Sequence, residues 1–267
     1  MMKAEAIWND IVRIRSEAPL VHNITNYVVM NTTANALLAI GASPVMAHAV
    51  EEVEAMVRLA RALVINIGTL SKPWITSMGK AAAAARQRGI PVVLDPVGAG
   101  ATSFRTETAH RILADSPPTI IRGNASEIRA LHYAESETKG VDSRHDAGAA
   151  LEAARQLTKK FGCVVSISGA VDVIVEGDRS IRVANGHPMM PRVTGLGCTA
   201  SALTGAFAAV NPAPFEAAAH AMAVMGIAGE IAAEQSPGPA SFQMHFLDAL
   251  YRLEEEDIQS RLRVESA

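Results

Sequence analysis

Cysteine is almost absent from this 267-residue sequence, which holds only Cys163 and Cys198. Two thiols cannot form a disulfide framework, and their scarcity suits a reducing, cytoplasmic setting. No Cys/His cluster has the spacing of a structural zinc site, and His22 and His48 are too isolated to serve as ligands. Charge of one sign is also lacking: 24 basic against 27 acidic side chains leave a formal charge of −3. That excludes a basic nucleic-acid footprint and a polybasic membrane signal. No apolar run approaches the ~20 residues that span a bilayer. The start, MMKAEAIWNDIVRIRSE, is amphipathic and carries acids, so it does not read as a signal peptide. No linker, repeat or low-complexity segment divides the chain, and one domain over residues 1–267 is expected. That length can bury a core without disulfide or metal staples.

What is present is alternation. Short β-branched runs stand at SPVM (43–46), ALVIN (62–66), PVVLD (91–95), TIIRG (119–123), CVVSIS (163–168), VDVIV (171–175) and SIRVA (180–184). Helical patterns fill 3–16, 26–40, 50–60, 73–88, 104–114, 124–132, 145–161, 197–209, 213–234 and 240–254. Nearly all-apolar strands between helices predict an α/β fold. Its sheet should be doubly wound and mainly parallel, with helices on both faces. VDVIVEGDRSIRV has a Gly-Asp turn between two alternating runs, which predicts a β-hairpin at an antiparallel edge.

Ligands of such sheets sit at the carboxyl ends of the strands. Reading those ends gives Met46, Asn66 to Gly68, Asp95, Arg122 to Asn124, and Ser168 with Gly169. TGLGC (194–198) opens a helix, and Gly195 and Gly197 would let the backbone approach a ligand. The free amides of the first turn then favour an anion such as phosphate. An ordinary glycine turn explains the same residues. The stretch has neither the G-K-[ST] of a Walker A loop nor the third glycine of a dinucleotide fingerprint. In GNASE (123–127), Asn124 and Glu127 fit a capping box, or Glu127 could hold magnesium through water. Asp95 is either a turn former before proline or a second acid in that shell. Asn23, Thr25 and Asn26 fit caps of the helix expected at 26–40, and Met46 fits either a core or a pocket. No G-x-S-x-G element appears.

Several of these stretches coincide with one family. PLVHNITNYVVMNTTANALLAIGASPVMAHA (19–49), DPVGAGATSFR (95–105), IIRGNASEI (120–128), SISGAVDVI (166–174), VTGLGCTASAL (193–203) and the late SFQMHFLDALY (241–251) occur in order. Together they resemble hydroxyethylthiazole kinases, members of the ribokinase-like group. The resemblance implies a ribokinase-like fold and ATP-dependent phosphorylation of 4-methyl-5-(2-hydroxyethyl)thiazole, within thiamine salvage and biosynthesis. Carried over by position, it makes Met46 and Gly195 substrate contacts, and Arg122 and Ser168 ATP contacts. Many relatives have threonine where Ser168 stands, and serine keeps the hydroxyl. Asp95 and Glu127 become magnesium-linked acids, with Asn124 opening the N-x-x-E motif. The anion cradle is Gly195, Gly197 and Cys198. The family is typically a homotrimer with the thiazole pocket at a subunit boundary, to which helix 26–40 could contribute.

The wider group usually has aspartate, acting as base, where this chain has Cys198. A helix N-terminus lowers a thiol pKa from ~8.5, while neighbouring phosphates push it back up. Cys198 is therefore expected to be a weak base or an alcohol-positioning group, without a covalent intermediate. Three rival readings share the fold: a hydroxymethylpyrimidine or pyridoxal kinase, a non-catalytic nucleotide or thiazole sensor, and a nicotinamide-repair dehydratase. Cys198 and the 23–46 region favour the thiazole, and intact Asp95, Glu127 and TGLGC disfavour the sensor.

Overall fold

The structure is a computed structural model that describes residues 2–133 and 146–266. One nine-stranded sheet runs through it, in the order β2-β1-β3-β4-β5-β6-β7-β8-β9. The parallel part comprises β1 (Leu20–Ile24), β2 (Ser43–Val45), β3 (Ala62–Asn66), β4 (Val92–Asp95), β5 (Ile120–Asn124) and β6 (Val164–Ser168). Antiparallel strands β7 (Asp172–Glu176), β8 (Arg179–Val183) and β9 (Val264–Ser266) complete it.

Strand β3 shows why helices must cover both faces. Ala62 and Val64 face one apolar cluster, and Leu63 and Ile65 face the other. A strand with period-2 side chains and no polar residue inside can be stable only when both faces are dry. The first face carries α1 (Ala4–Glu17), α2 (Met30–Ile40), α8 (Leu196–Val210), α9 (Pro214–Glu234) and α10 (Pro239–Arg252). The second carries α3 (Val53–Leu59), α4 (Lys72–Arg88), α5 (Ser103–Asp115), α6 (Ala125–His132) and α7 (Asp146–Phe161). α8 is buried nearly all round, because the sheet lies on one side and other helices on the rest. Its run of Ala, Gly, Ser and Thr permits that close approach. A Cβ on Gly205 would stand 2.6 Å from Val64 Cγ2 on β3.

The structure departs from the sequence expectations in several places. β1 was not among the expected strands, since His22 and Asn23 interrupt its apolar run; both are fully buried. The helix expected at 26–40 begins at Met30, and no side chain caps it. Residues 26–29 turn, and Asn26 points into the interior instead of capping. The hairpin β7–β8 is present, with Gly177 at φ +58° in its turn, but β9 pairs outside it and takes the edge. A further helix, α11 (Glu255–Arg261), leads to β9 and starts with a capping box between Glu254 and Asp257. The expected start of helix 145–161, residue 145, lies outside the described residues.

Candidate active site

The carboxyl ends of β1, β3 and β4 converge on the first turn of α8. After β1 comes Asn26, whose Nδ2 donates to Asn66 Oδ1 at 2.8 Å and to Cys198 Sγ at 3.4 Å. Asn66 ends β3, and its Nδ2 donates to Asp95 Oδ2 at 2.8 Å. Asp95 ends β4 and accepts a second hydrogen bond on Oδ2, from the Ser201 hydroxyl at 2.7 Å. Ser201 lies one helical turn beyond Cys198, so the first two turns of α8 contact the strand ends. The result is a continuous polar chain, Cys198–Asn26–Asn66–Asp95–Ser201, beneath an otherwise apolar core.

Of the two glycines of TGLGC, Gly195 forms the turn before α8, whereas Gly197 already lies in its first helical turn. Gly195 has φ +89°, and a Cβ there would meet Val29 Cγ1 at 2.9 Å, so a side chain fails on both conformation and space. No side chain caps the helix at Gly195. The first-turn amides therefore remain available to an anion. Beside them Arg122, on β5, donates from Nη1 to Gly197 O at 2.9 Å. It is almost wholly buried, and its Nε has no hydrogen-bond partner within the protein. A buried guanidinium with unused donors is suited to a phosphate.

Glu127 takes the capping role expected of GNASE. Asn124 and Glu127 form the capping box, with Glu127 Oε2 accepting from the Asn124 amide at 2.9 Å. Its Oε1 accepts from the Gly98 amide at 2.9 Å, which ties the start of α6 to the glycine-rich loop after β4. Both carboxylate oxygens thus already receive backbone donors, and Asp95 Oδ2 receives two. Among the described residues no group of three or more His, Cys, Asp or Glu could enclose a metal directly. Such a donor set fits magnesium that keeps most of its water shell.

Titration follows burial. Asp95 is fully enclosed, and loss of hydration lifts its pKa from 3.8 to about 7, despite Arg122, Ser201 and Asn66 pulling the other way. Burial, then the charge of Asp95, pushes Cys198 up to about 11; Asn66, Asn26 and Arg122 oppose this. Burial thus adds to the upward push that was expected from phosphates alone. At neutral pH this shift favours the protonated thiol.

The remaining sites differ in how closely they join this cluster. Ser168 ends β6, and its hydroxyl donates to Gly123 O at 3.3 Å, next to Arg122 in sequence. Met46 is half-buried just past the end of β2 and lies outside the hydrogen-bonded set. It adjoins a ring cluster of Tyr27, His48 and Trp74, with His48 and Trp74 centroids 4.5 Å apart. Sequence reasoning missed Ser201, whose only signal was its place one turn after the glycine turn. It also missed Asp172, which accepts from the Gly169 amide at 2.9 Å; burial lifts its pKa to about 6. Arg105 was missed as well. Its guanidinium donates to the carbonyls of Ile67, Gly68 and Val97, joining the loops after β3 and β4.

Comparison with known proteins agrees with this geometry. The family described as the hydroxyethylthiazole kinase family matches residues 11–256. The chain belongs to the hydroxyethylthiazole kinase family. It is 64% identical over 262 residues, 97% of each chain, to a protein named hydroxyethylthiazole kinase from Syntrophus aciditrophicus. A solved hydroxyethylthiazole kinase structure from Pyrococcus horikoshii OT3 superimposes with TM-score 0.91 at 47% identity, covering 98% of this chain and 99% of that one. A ribokinase-like superfamily protein from Enterococcus faecalis V583 shares the fold at TM-score 0.66 and 16% identity, over 92% and 89% of the two chains. The fold is thus ribokinase-like. Among the described residues no helix is long and apolar enough to cross a membrane.

Proposed function

We propose that the protein transfers the γ-phosphoryl group of ATP to the alcohol of 4-methyl-5-(2-hydroxyethyl)thiazole, giving thiazole phosphate and ADP for thiamine salvage and biosynthesis. The observation that carries this reading is the uncapped α8 turn with Cys198, set beside buried Arg122 in a member of this family. Phosphoryl transfer asks mainly for positioning and charge stabilisation. The amides that follow Gly195 cradle the transferring group, and Arg122 offsets charge on the nucleotide. Ser168 contacts ATP from the end of β6. Met46 and Gly195 line the thiazole side.

Asp95 and Glu127 would hold magnesium through water, where it would neutralise charge on the triphosphate. Cys198 positions the acceptor alcohol; in a loose transition state the alcohol loses its proton late, so no strong base is needed. Removing the Arg122 guanidinium should lower kcat by about 10²–10³. A coupled assay of ADP release with the thiazole alcohol, ATP and Mg²⁺ tests the reading. Equal or faster turnover with hydroxymethylpyrimidine or pyridoxal, or no ADP release with the thiazole, refutes it.

A cytoplasmic homotrimer completes the proposal. Tyr27 and Val28, beside the site, are 65% and 64% exposed although apolar, and Leu38 and Met244 are also exposed. A groove of about 300 Å³ between α2 and α10 lies on the same helices, lined by residues including Asn31, Asn35 and Met244. Side chains of this type next to a pocket suit burial by a second copy. Light scattering that gives a monomer mass at micromolar concentration would remove the trimer.

A further inference from the structure

The buried amides below Cys198 have only one consistent orientation. The chain starts at the Gly68 amide, a backbone N–H that can only donate. Its acceptor, 3.0 Å away, must be an oxygen, which fixes that atom as Asn66 Oδ1. The other end of the Asn66 amide is then Nδ2, and it donates to Asp95. Asn66 Oδ1 also meets the Asn26 side chain at 2.8 Å, so the Asn26 atom there must be Nδ2. That same nitrogen reaches Cys198 Sγ at 3.4 Å. Its two hydrogens are thereby spent on two acceptors, one of which is the sulfur.

We propose that Asn66 and Asn26 are positioning residues that impose this direction on the chain. Cys198 Sγ is held as an acceptor, and its S–H is left to meet the oxygen of the substrate alcohol. The inference rests on the thiazole-kinase reading and deepens it, because it names what orients the group beside the acceptor. Two further observations support it. Asn26 and Asn66 are both buried, so water does not compete for their hydrogen bonds. Gly68 leaves the space for Asn26: a Cβ at 68 would stand 2.6 Å from Asn26 Nδ2 and 2.8 Å from its Cγ.

Asn26→Asp is nearly isosteric and places an oxygen where the chain needs a donor. The first measurement is alkylation of Cys198 by iodoacetamide without substrate, read by peptide mass, with buried Cys163 as internal reference. The chain predicts alkylation slower by about fivefold or more in Asn26→Asp, since the sulfur loses its donor and gains a carboxylate neighbour. The second measurement is a kinetic cycle. Asn26→Asp should lower kcat about tenfold with the KM for ATP changed less than about twofold, and this penalty should largely vanish in a Cys198→Ala background.

Gly68→Ala, which displaces Asn26 without altering either amide, should slow alkylation in the same direction and serves if Asn26→Asp folds poorly. Alkylation at the wild-type rate or faster in either folded variant overturns the proposal. So does an equal kcat penalty with and without Cys198. Because alkylation needs no substrate, a wild-type protein that releases no ADP would sink the thiazole reading separately.

Discussion

Two glycines in helix interiors should respond to the same substitution with opposite signs. Gly205 lies in α8, where an added Cβ would be 2.6 Å from Val64 Cγ2 and 3.2 Å from Val21 Cγ1. Carbon atoms pack best at about 3.5–4.0 Å, so one partner must move by about 1 Å. Neither valine can turn away easily, since both are β-branched, fully packed and on adjacent inner strands. Overpacking of this kind costs about 1–3 kcal/mol, and the tight contact places Gly205→Ala near the upper end. The helical preference of alanine returns about 1 kcal/mol, leaving a net loss of about 2 kcal/mol.

Gly79 sits in α4 with nothing within 4 Å of an added Cβ. Gly79→Ala should therefore gain about 1 kcal/mol. At this chain length 1 kcal/mol moves Tm by about 2–4 °C. Thermal unfolding followed by circular dichroism should show Gly79→Ala rising by that amount and Gly205→Ala falling by about twice as much. If the two variants melt together, the contact between α8 and the sheet is looser than described, and the reasoning fails.

Other perturbations test the site and its supports. The Asp95 carboxyl holds its proton more tightly in the folded chain, so stability from this group is greatest below pH 3.8 and is lost as pH rises through about 7. A rise of that size corresponds to about 4 kcal/mol, and Asp95→Asn should flatten the decline of urea midpoints across this window; an unchanged pH profile refutes it. Arg105→Ala removes the donor shared by three loop carbonyls, and kcat/KM for ATP should drop by about tenfold or more, with Arg105→Lys recovering only part. Asn185 bonds Glu230, the Arg261 carbonyl and the Arg263 amide, so Asn185→Ala should cost about 2–3 kcal/mol. It should also speed amide exchange in β9 while leaving kcat as it was.

The inner strands β3 and β4 were legible because a strand covered on both faces must be written in continuous apolar residues. β1 escaped for the opposite reason. His22 and Asn23 look like surface residues, yet His22 Nε2 lies 2.7 Å from Ala47 O and the Asn23 amide donates to Val21 O. The partner of His22 lies 25 residues away and leaves no local trace, and His22 Nδ1 and Asn23 Oδ1 are buried with no partner within the protein. Asn26 was read as a cap because asparagine near a helix start usually is one; only the assembled sheet shows that it turns inward. Arg122 and Asp95 could be proposed as candidates because strand ends of a parallel sheet are a place that topology alone predicts, whereas the glycine turn and Glu127 stood out only as local motifs. The titration of Cys198 was only half legible, because a dipole can be read from a helix start, whereas burial and the Asp95 carboxylate from β4 cannot.

The strands at the two margins of the sheet bear on how copies of this chain can associate. β2 is three residues long and contains Pro44, which has no N–H to offer. At the other margin β8 would present five residues of open backbone, but β9 covers three of them and is itself too short to template a neighbour. Strand addition from copy to copy is thus discouraged at both ends. Self-association is left to side-chain contacts between helices, which favour closed assemblies over fibres. Deleting 264–266 should therefore reveal itself first as a loss of solubility, before any change at the catalytic end of the sheet.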